Sequence, residues 1–340
     1  MKAAPVLRAL QETGVQQTLV HTGQHYDVNM SDVFFQELKI PEPDVNLAVG
    51  SGSHAQQTAE IMARFEAVVL ERNPDIVLVY GDVNSTVAAA LVCAKLQVSV
   101  GHVEAGLRSF DRSMPEEINR VVADQLSDLL FTPSADGDKN LLREGIAREK
   151  IHLIGNVMID TLIRLLPVAK QARKNETPHQ YALVTLHRPA NVDDRQMLKK
   201  ILSSMLTLNK DLPVIFPLHP RTRQAIRHFD LETDGLCLMD PVSYLEFLAL
   251  QCRATVVITD SGGIQEETTY LGIPCLTLRP NTERPVTVKI GTNILIGNDM
   301  EKLRTEVLKV LRGNIKQGSV PPLWDGHASE RIANILVNRL

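Results

Sequence analysis

Nine short apolar runs recur along this chain, each separated from the next by a longer stretch, and this alternation constrains the fold more than any other feature. The runs are TLVHTG (18–23), IVLVYG (76–81), VSVGHV (98–103), LLFTPS (129–134), IHLIGN (151–156), YALVTLH (181–187), PVIFPLH (213–219), ATVVITD (254–260) and PCLTLR (274–279). Their β-branched, near-continuous apolar character suits strands buried on both faces. Amphipathic helices are expected between them, at 85–96, 116–127, 193–209 and 264–271. Strand–helix alternation at this spacing predicts an α/β fold with parallel sheets. The polar segment VAKQARKNETPHQ (168–180) precedes a new strand and marks the expected boundary. It divides the chain into two Rossmann-like domains, 1–167 and 168–326. Two such domains with sheets facing a central cleft would place ligands at the carboxyl ends of the strands.

A length of 340 residues fits two domains. The formal net charge of -4 gives no bulk attraction to nucleic acid or an anionic membrane. The four cysteines, Cys93, Cys237, Cys252 and Cys275, are scattered without a CxxC pair, so a reducing cytoplasm is the expectation rather than a disulfide framework. No apolar run approaches the ~20 residues of a membrane span. MKAAPVLRALQETG reads as a helix starting at residue one, too short and too interrupted by Arg8 for a secretory segment.

TDSGGIQEE (259–267) follows a strand and opens a helix. Ser261, Gly262 and Gly263 put small residues where a phosphate could approach backbone N–H groups at a helix N-terminus. Glu267 lies a turn further in, where a carboxylate can accept from a ribose diol; the alternative is a plain strand-to-helix turn with Ser261 as N-cap. Asp82 in YGDVNST and Glu104 in GHVEAGLRS also follow strands, with Arg108 available to pair. Glu116 and Glu117 in MPEEINR suit the first turn of a helix behind Pro115. Carboxylates gathered at one sheet edge can divide acid and base roles. His187 with Arg188, and His219 with Arg221 and Arg223, end strands and suit phosphate binding or leaving-group protonation. Arg279, Glu283 and Arg284 follow the Ser-Gly-Gly turn in chain order, and Arg284 could meet a diphosphate. GSGSHA (50–55) matches a dinucleotide fingerprint, but PEPDVNLAV before it is a poor strand, and Ser53-x-x-Gln56 reads as a capping box. His102-x-Glu104 lacks the PCxxC of a zinc deaminase, and no metal site or cofactor is indicated.

Taken together, GQH (23–25), GD (81–82), GHVEAGLR (101–108), PEEINR (115–120), LHR (186–188), TDSGGIQEE (259–267) and TERP (282–285) resemble the non-hydrolysing UDP-N-acetylglucosamine 2-epimerase family, in order and spacing over nearly the whole chain. The resemblance implies a fold like that of the GT-B glycosyltransferases, with the last helix (327–340) returning to the first domain. It implies a UDP-sugar substrate, a homodimer, no cofactor, and interconversion of UDP-N-acetylglucosamine and UDP-N-acetylmannosamine through loss and return of UDP. By the family's pattern, Asp82, Glu104 and Glu116 are acid–base groups and His187 helps UDP leave. Lys2, Ser261, Gly262, Gly263 and Arg284 would contact the substrate, Glu267 the ribose and Phe247 the uracil. A regulatory UDP-sugar site would lie near Gln24, His25 and Arg64. The family's first strand and GTRPE-type loop have no counterpart before Lys2, and the expectation is a chain that starts just after them. The alternatives are an epimerase of a modified UDP-amino sugar, a hydrolysing 2-epimerase, a GT-B glycosyltransferase and an inactive UDP-sugar binder.

Overall fold

In the computed structural model, which describes residues 1–23, 37–38, 40–171 and 178–339, the apolar runs form strands and the stretches between them helices. The strands are β1 (Val20–His21), β2 (Val45–Asn46), β3 (Ile76–Tyr80), β4 (Ser99–Val103), β5 (Leu129–Thr132), β6 (Ile151–Leu153), β7 (Ala182–Thr185), β8 (Val214–Pro217), β9 (Cys237–Met239), β10 (Val256–Thr259), β11 (Cys275–Thr277) and β12 (Asn293–Leu295). Every pairing among the described residues is parallel, so the chain is α/β with parallel sheets. Contacts divide it into two compact units, Met1–Thr161 with Pro322–Leu340, and Leu162–Pro321.

The first unit holds the sheet β3-β4-β5-β6 and the separate pair β1-β2. Its C-terminal helix Ala328–Val337 packs on the first helix, Ala3–Glu12, through Ile332, Ala333 and Leu336 against Val6, Ala9 and Leu10. The C-terminal helix is tied down where Asp160 accepts from Ala328 N (3.2 Å), Ser329 N (2.7 Å) and Ser329 Oγ (2.7 Å). The first helix starts at Ala3 rather than at residue one.

The second unit is one sheet in the order β12-β11-β10-β7-β8-β9. Period-two alternation feeds two cores: Ala182, Val184 and Leu186 pack on one face, Tyr181 and Leu183 on the other. This two-sided burial is why the run reads as continuously apolar. Counted from β7 the order is that of the Rossmann fold, and it reverses between β7 and β10. Ligands bind at such a switch point, beyond the carboxyl ends of the strands.

Some expectations need correction. Residues 168–171 of the expected boundary segment are helical, the end of the helix Val157–Gln171. The poor strand at 41–49 still yields β2, and β9 and β12 carried no apolar-run signal. All three lie at a sheet edge, where a strand is covered by one neighbour and needs no buried run. Ser53 and Gln56 form the capping box of the helix His54–Arg72. No helix among the described residues is long and apolar enough to cross a membrane, and all four cysteines are free.

Candidate functional site

In the second unit the loops after β7 and β10 meet at the switch point. β10 delivers Asp260, Ser261 and then the helix Gly262–Leu271. Asp260 is fully buried and accepts from His187 N (3.1 Å), Arg188 N (2.9 Å) and Asn191 Nδ2 (3.0 Å). Its other oxygen lies 3.0 Å from His187 Nδ1. Burial alone would raise this carboxyl, but His187, Asn191 and the loop amide outweigh it and hold it below the usual carboxylate range. The ring of His219 lies 5.5 Å from that of His187.

Ser261 occupies the N-cap position of this strand-to-helix turn, but its hydroxyl makes no capping bond. The first-turn N–H groups are therefore not capped by that hydroxyl. Gly262 has no room for a side chain: a Cβ there would meet Arg284 Nη1 at 2.3 Å and Glu283 Oε1 at 2.8 Å. Gly263 follows at the half-buried start of the same helix. Arg284 is clamped, with Nη1 on Glu283 and Nε 2.9 Å from Glu266 Oε1. Glu283 also takes Arg279 Nη2 at 2.6 Å, and Arg188 Nη2 approaches it at 3.8 Å. Sequence order suggested Glu283 and Arg284 near the Ser-Gly-Gly turn; the pairing of Arg284 with Glu283 and Glu266 was not legible.

Glu267 is 1 % exposed and takes the Tyr244 hydroxyl at 2.8 Å, while its Oε2 is buried without a hydrogen-bond partner. Burial pushes this carboxyl up to about 7, Glu266 adding to the rise and the Tyr244 hydroxyl opposing it. The folded state therefore favours the protonated form. That contribution is full below the ordinary value of 4.5 and is lost as pH rises through about 7. Glu267→Gln abolishes the titration, so thermal melts of the variant should exceed the parent's above pH ~7 and converge with them near pH ~4. The same pH dependence in both proteins would refute the burial account. Phe247 lies half-buried in the helix Tyr244–Gln251, packed beside Tyr181, Leu183 and Leu250.

In the first unit Asp82 and Glu104 follow the neighbouring strands β3 and β4. Glu104 is buried, sits at φ +74°, and pairs with Lys2 Nζ. Gly81, at φ +67°, admits that pair, since a Cβ there would lie 2.5 Å from Lys2 Nζ. A non-glycine residue in the left-handed region often marks a functional turn. Asp82 is held by Arg120 Nη2 through its carboxylate and by Asn119 Nδ2 (3.0 Å) through its carbonyl. Both partners come from the helix Pro115–Leu126, which also carries half-buried Glu116 in its first turn. Glu117 is buried instead, accepting from Ser109 N (3.0 Å), Ser109 Oγ (2.9 Å), Phe110 N (2.9 Å) and Arg120.

Other candidates have structural employment. His102 places Nδ1 2.6 Å from Asp124 and Nε2 2.7 Å from the Gly81 carbonyl. Arg108 binds Asp124 (2.6 Å) and Glu144 (2.6 Å). This buried chain supports both catalytic-candidate turns from beneath, because Asp124 also accepts from Gly106 N at 3.1 Å. Arg221 pairs with Asp193 and Arg223 with Asp240, so neither repeats the arrangement at His187. Gln24 and His25 lie outside the described residues. Arg64 is engaged by Glu60 and by the carbonyls of Leu47 and Ala48. Asp260 and Arg120 emerge only from the structure, as does the burial that sets Glu117 apart from Glu116. The one trace of Asp260 in the sequence is an acidic residue directly after an apolar run.

A family model described as UDP-N-acetylglucosamine 2-epimerase matches residues 8–337. The chain is 44% identical to the UDP-N-acetylglucosamine 2-epimerase of Methanocaldococcus jannaschii, over 99% of this chain and 95% of that one. It is 41% identical to the UDP-2,3-diacetamido-2,3-dideoxy-D-glucuronate 2-epimerase of Pseudomonas aeruginosa, over 99% and 96%. The crystal structure of the M. jannaschii enzyme in complex with UDP-GlcNAc and UDP superposes with a TM-score of 0.93, at 44% identity over 99% of this chain and 96% of that one.

Proposed function

This chain belongs to the UDP-N-acetylglucosamine 2-epimerase family, and on that premise we propose that it interconverts UDP-N-acetylglucosamine and UDP-N-acetylmannosamine by elimination and re-addition of UDP. The observation that carries the reading is the placement of Asp82 and Glu104 at the carboxyl ends of neighbouring parallel strands, each against a cation. The C2 proton of the sugar is not acidic by itself. As the C1–O bond breaks, its electron pair leaves with the UDP oxygen, and the oxocarbenium character at C1 makes the C2 proton removable. A carboxylate takes that proton and the C–H pair becomes the double bond of a 2-acetamidoglucal. Proton delivery to the opposite face of C2, with the UDP oxygen returning to C1, inverts the centre.

In this reading Asp82, Glu104 and Glu116 serve the two faces of C2, with Lys2 paired to Glu104. His187 protonates and releases the departing oxygen. The helix start at Ser261, Gly262 and Gly263, with Arg284, holds the diphosphate. Glu267 takes the ribose, and Phe247 packs on the uracil. Arg64 would serve a regulatory UDP-sugar site. The enzyme acts as a cytoplasmic homodimer of two Rossmann-like domains, near 1–167 with 327–340 and 168–326, and supplies amino sugar for cell-surface polysaccharide. A second substrate, a UDP-diacetamido uronic acid, is favoured by the 41% identity to the P. aeruginosa enzyme.

Incubation of UDP-N-acetylglucosamine with the protein in deuterated water should place deuterium at C2 of recovered UDP-sugar and produce the manno epimer. Full retention of protium at C2, with both this substrate and the diacetamido uronate, would defeat the proposal. Free N-acetylmannosamine accumulating in place of UDP-sugar would identify a hydrolase.

A further inference from the structure

We infer that Asp260 is the positioning residue for His187, fixing the imidazole so that Nδ1 carries a hydrogen and Nε2 is the atom that exchanges a proton with departing UDP. The inference rests on the role proposed above for His187. Asp260 and His187 follow β10 and β7, strands paired in register at Thr259 and Thr185, so the sheet itself brings the two together. Asp260 has no exposure and its oxygens meet only donors: the His187 and Arg188 amides and Asn191 Nδ2. A carboxylate so surrounded is an acceptor, which leaves Nδ1, 3.0 Å away, as the donor. The ring cannot turn without breaking that bond. At 37% side-chain exposure it remains open to a ligand, and Nε2 is the nitrogen that Asp260 does not occupy.

The proton balance closes within the pair. When the C1–O bond breaks, the electron pair goes to the β-phosphate oxygen, the Nε2–H bond breaks and an O–H bond forms. The imidazole is left neutral with its hydrogen on Nδ1. Re-addition reverses each change, and Asp260 remains ionised throughout, stabilising the imidazolium state. The other charged and titratable groups facing His187 are His219 beyond β8, Arg188 on its own loop, Arg221 behind His219 and Glu283, which Arg188 approaches. His219 is held neutral-leaning, its ring lowered first by burial and then by His187, and its Nδ1 accepts from Arg221 N at 3.2 Å. It therefore does not substitute for the carboxylate.

Asp260→Asn should lower kcat for C2 deuterium exchange by about a hundredfold or more while KM for UDP-N-acetylglucosamine stays within about threefold. His187→Asn is the control: parental turnover there would refute the role of His187 itself. A slow His187→Asn beside an Asp260→Asn enzyme with parental kcat would overturn the positioning role alone. Nitrogen-15 NMR of the His187 ring in the unmodified protein covers the case where the variant does not fold. A hydrogen on Nδ1 supports the inference; a neutral ring protonated only at Nε2 overturns it.

Discussion

Glu104→Gln is expected to slow deuterium entry at C2 by about a thousandfold while UDP still binds. The amide keeps the shape of the carboxylate but cannot take or return a proton. The nucleotide contacts proposed above belong to Ser261, Gly262, Gly263, Glu267 and Arg284, in the other unit, so affinity for UDP should survive. The fold should survive too. Lys2, whose side chain is 26% exposed, keeps an amide oxygen to donate to and can also turn to water. Glu104 N keeps its bond to the Phe131 carbonyl at 3.0 Å, so the turn at φ +74° stays anchored through its backbone. NMR of the recovered sugar and calorimetry with UDP give the two readouts. Exchange within tenfold of the parent would remove Glu104 from the proton-transfer step.

The contrast between Glu104 and Asp260 shows what the sequence could reveal. Glu104 and Asp82 each follow an apolar run, and in a parallel sheet the end of such a run points to the ligand side, so position alone made them candidates. The runs were legible because interior strands are covered on both faces, as the two cores around β7 demonstrate. Asp260 also follows a run, yet its meaning depends on β10 lying beside β7, which are 70 residues apart and made neighbours by the reversal of strand order. No local pattern encodes that adjacency. Likewise, Glu116 and Glu117 are identical first-turn glutamates by spacing. The structure separates them, one half-buried and the other sunk into the Ser109–Phe110 turn. The clamp on Arg284 by Glu266 and Glu283 joins a helix to a loop after the next strand, a contact set by packing rather than by periodicity.

Arg120→Met is expected to cost about 3–5 kcal/mol of stability and to slow C2 exchange at the same time. Arg120 is 2% exposed and joins two carboxylates, Glu117 through Nη1 and Asp82 through Nη2. Their fates differ once the guanidinium is gone. Asp82 is 26% exposed and can recruit water, but it loses the group that aims its carboxylate. Glu117 is 2% exposed and keeps three donors from Ser109 and Phe110, but loses its buried counter-charge. The stability loss should therefore be traceable to Glu117 and the rate loss to Asp82. A Glu117→Gln/Arg120→Met pair separates them: it removes the stranded charge while keeping an acceptor for the Ser109 amide. Urea titrations should show the double variant more stable than Arg120→Met alone, a non-additive pair as expected for residues in contact. Its C2 exchange should remain as slow as in the single variant, because the Arg120 guanidinium that aims the Asp82 carboxylate is still missing. Recovery of both stability and rate in the double variant would mean that Arg120 acts only through the fold. Recovery of neither would mean that Glu117 is not the charge that Arg120 neutralises.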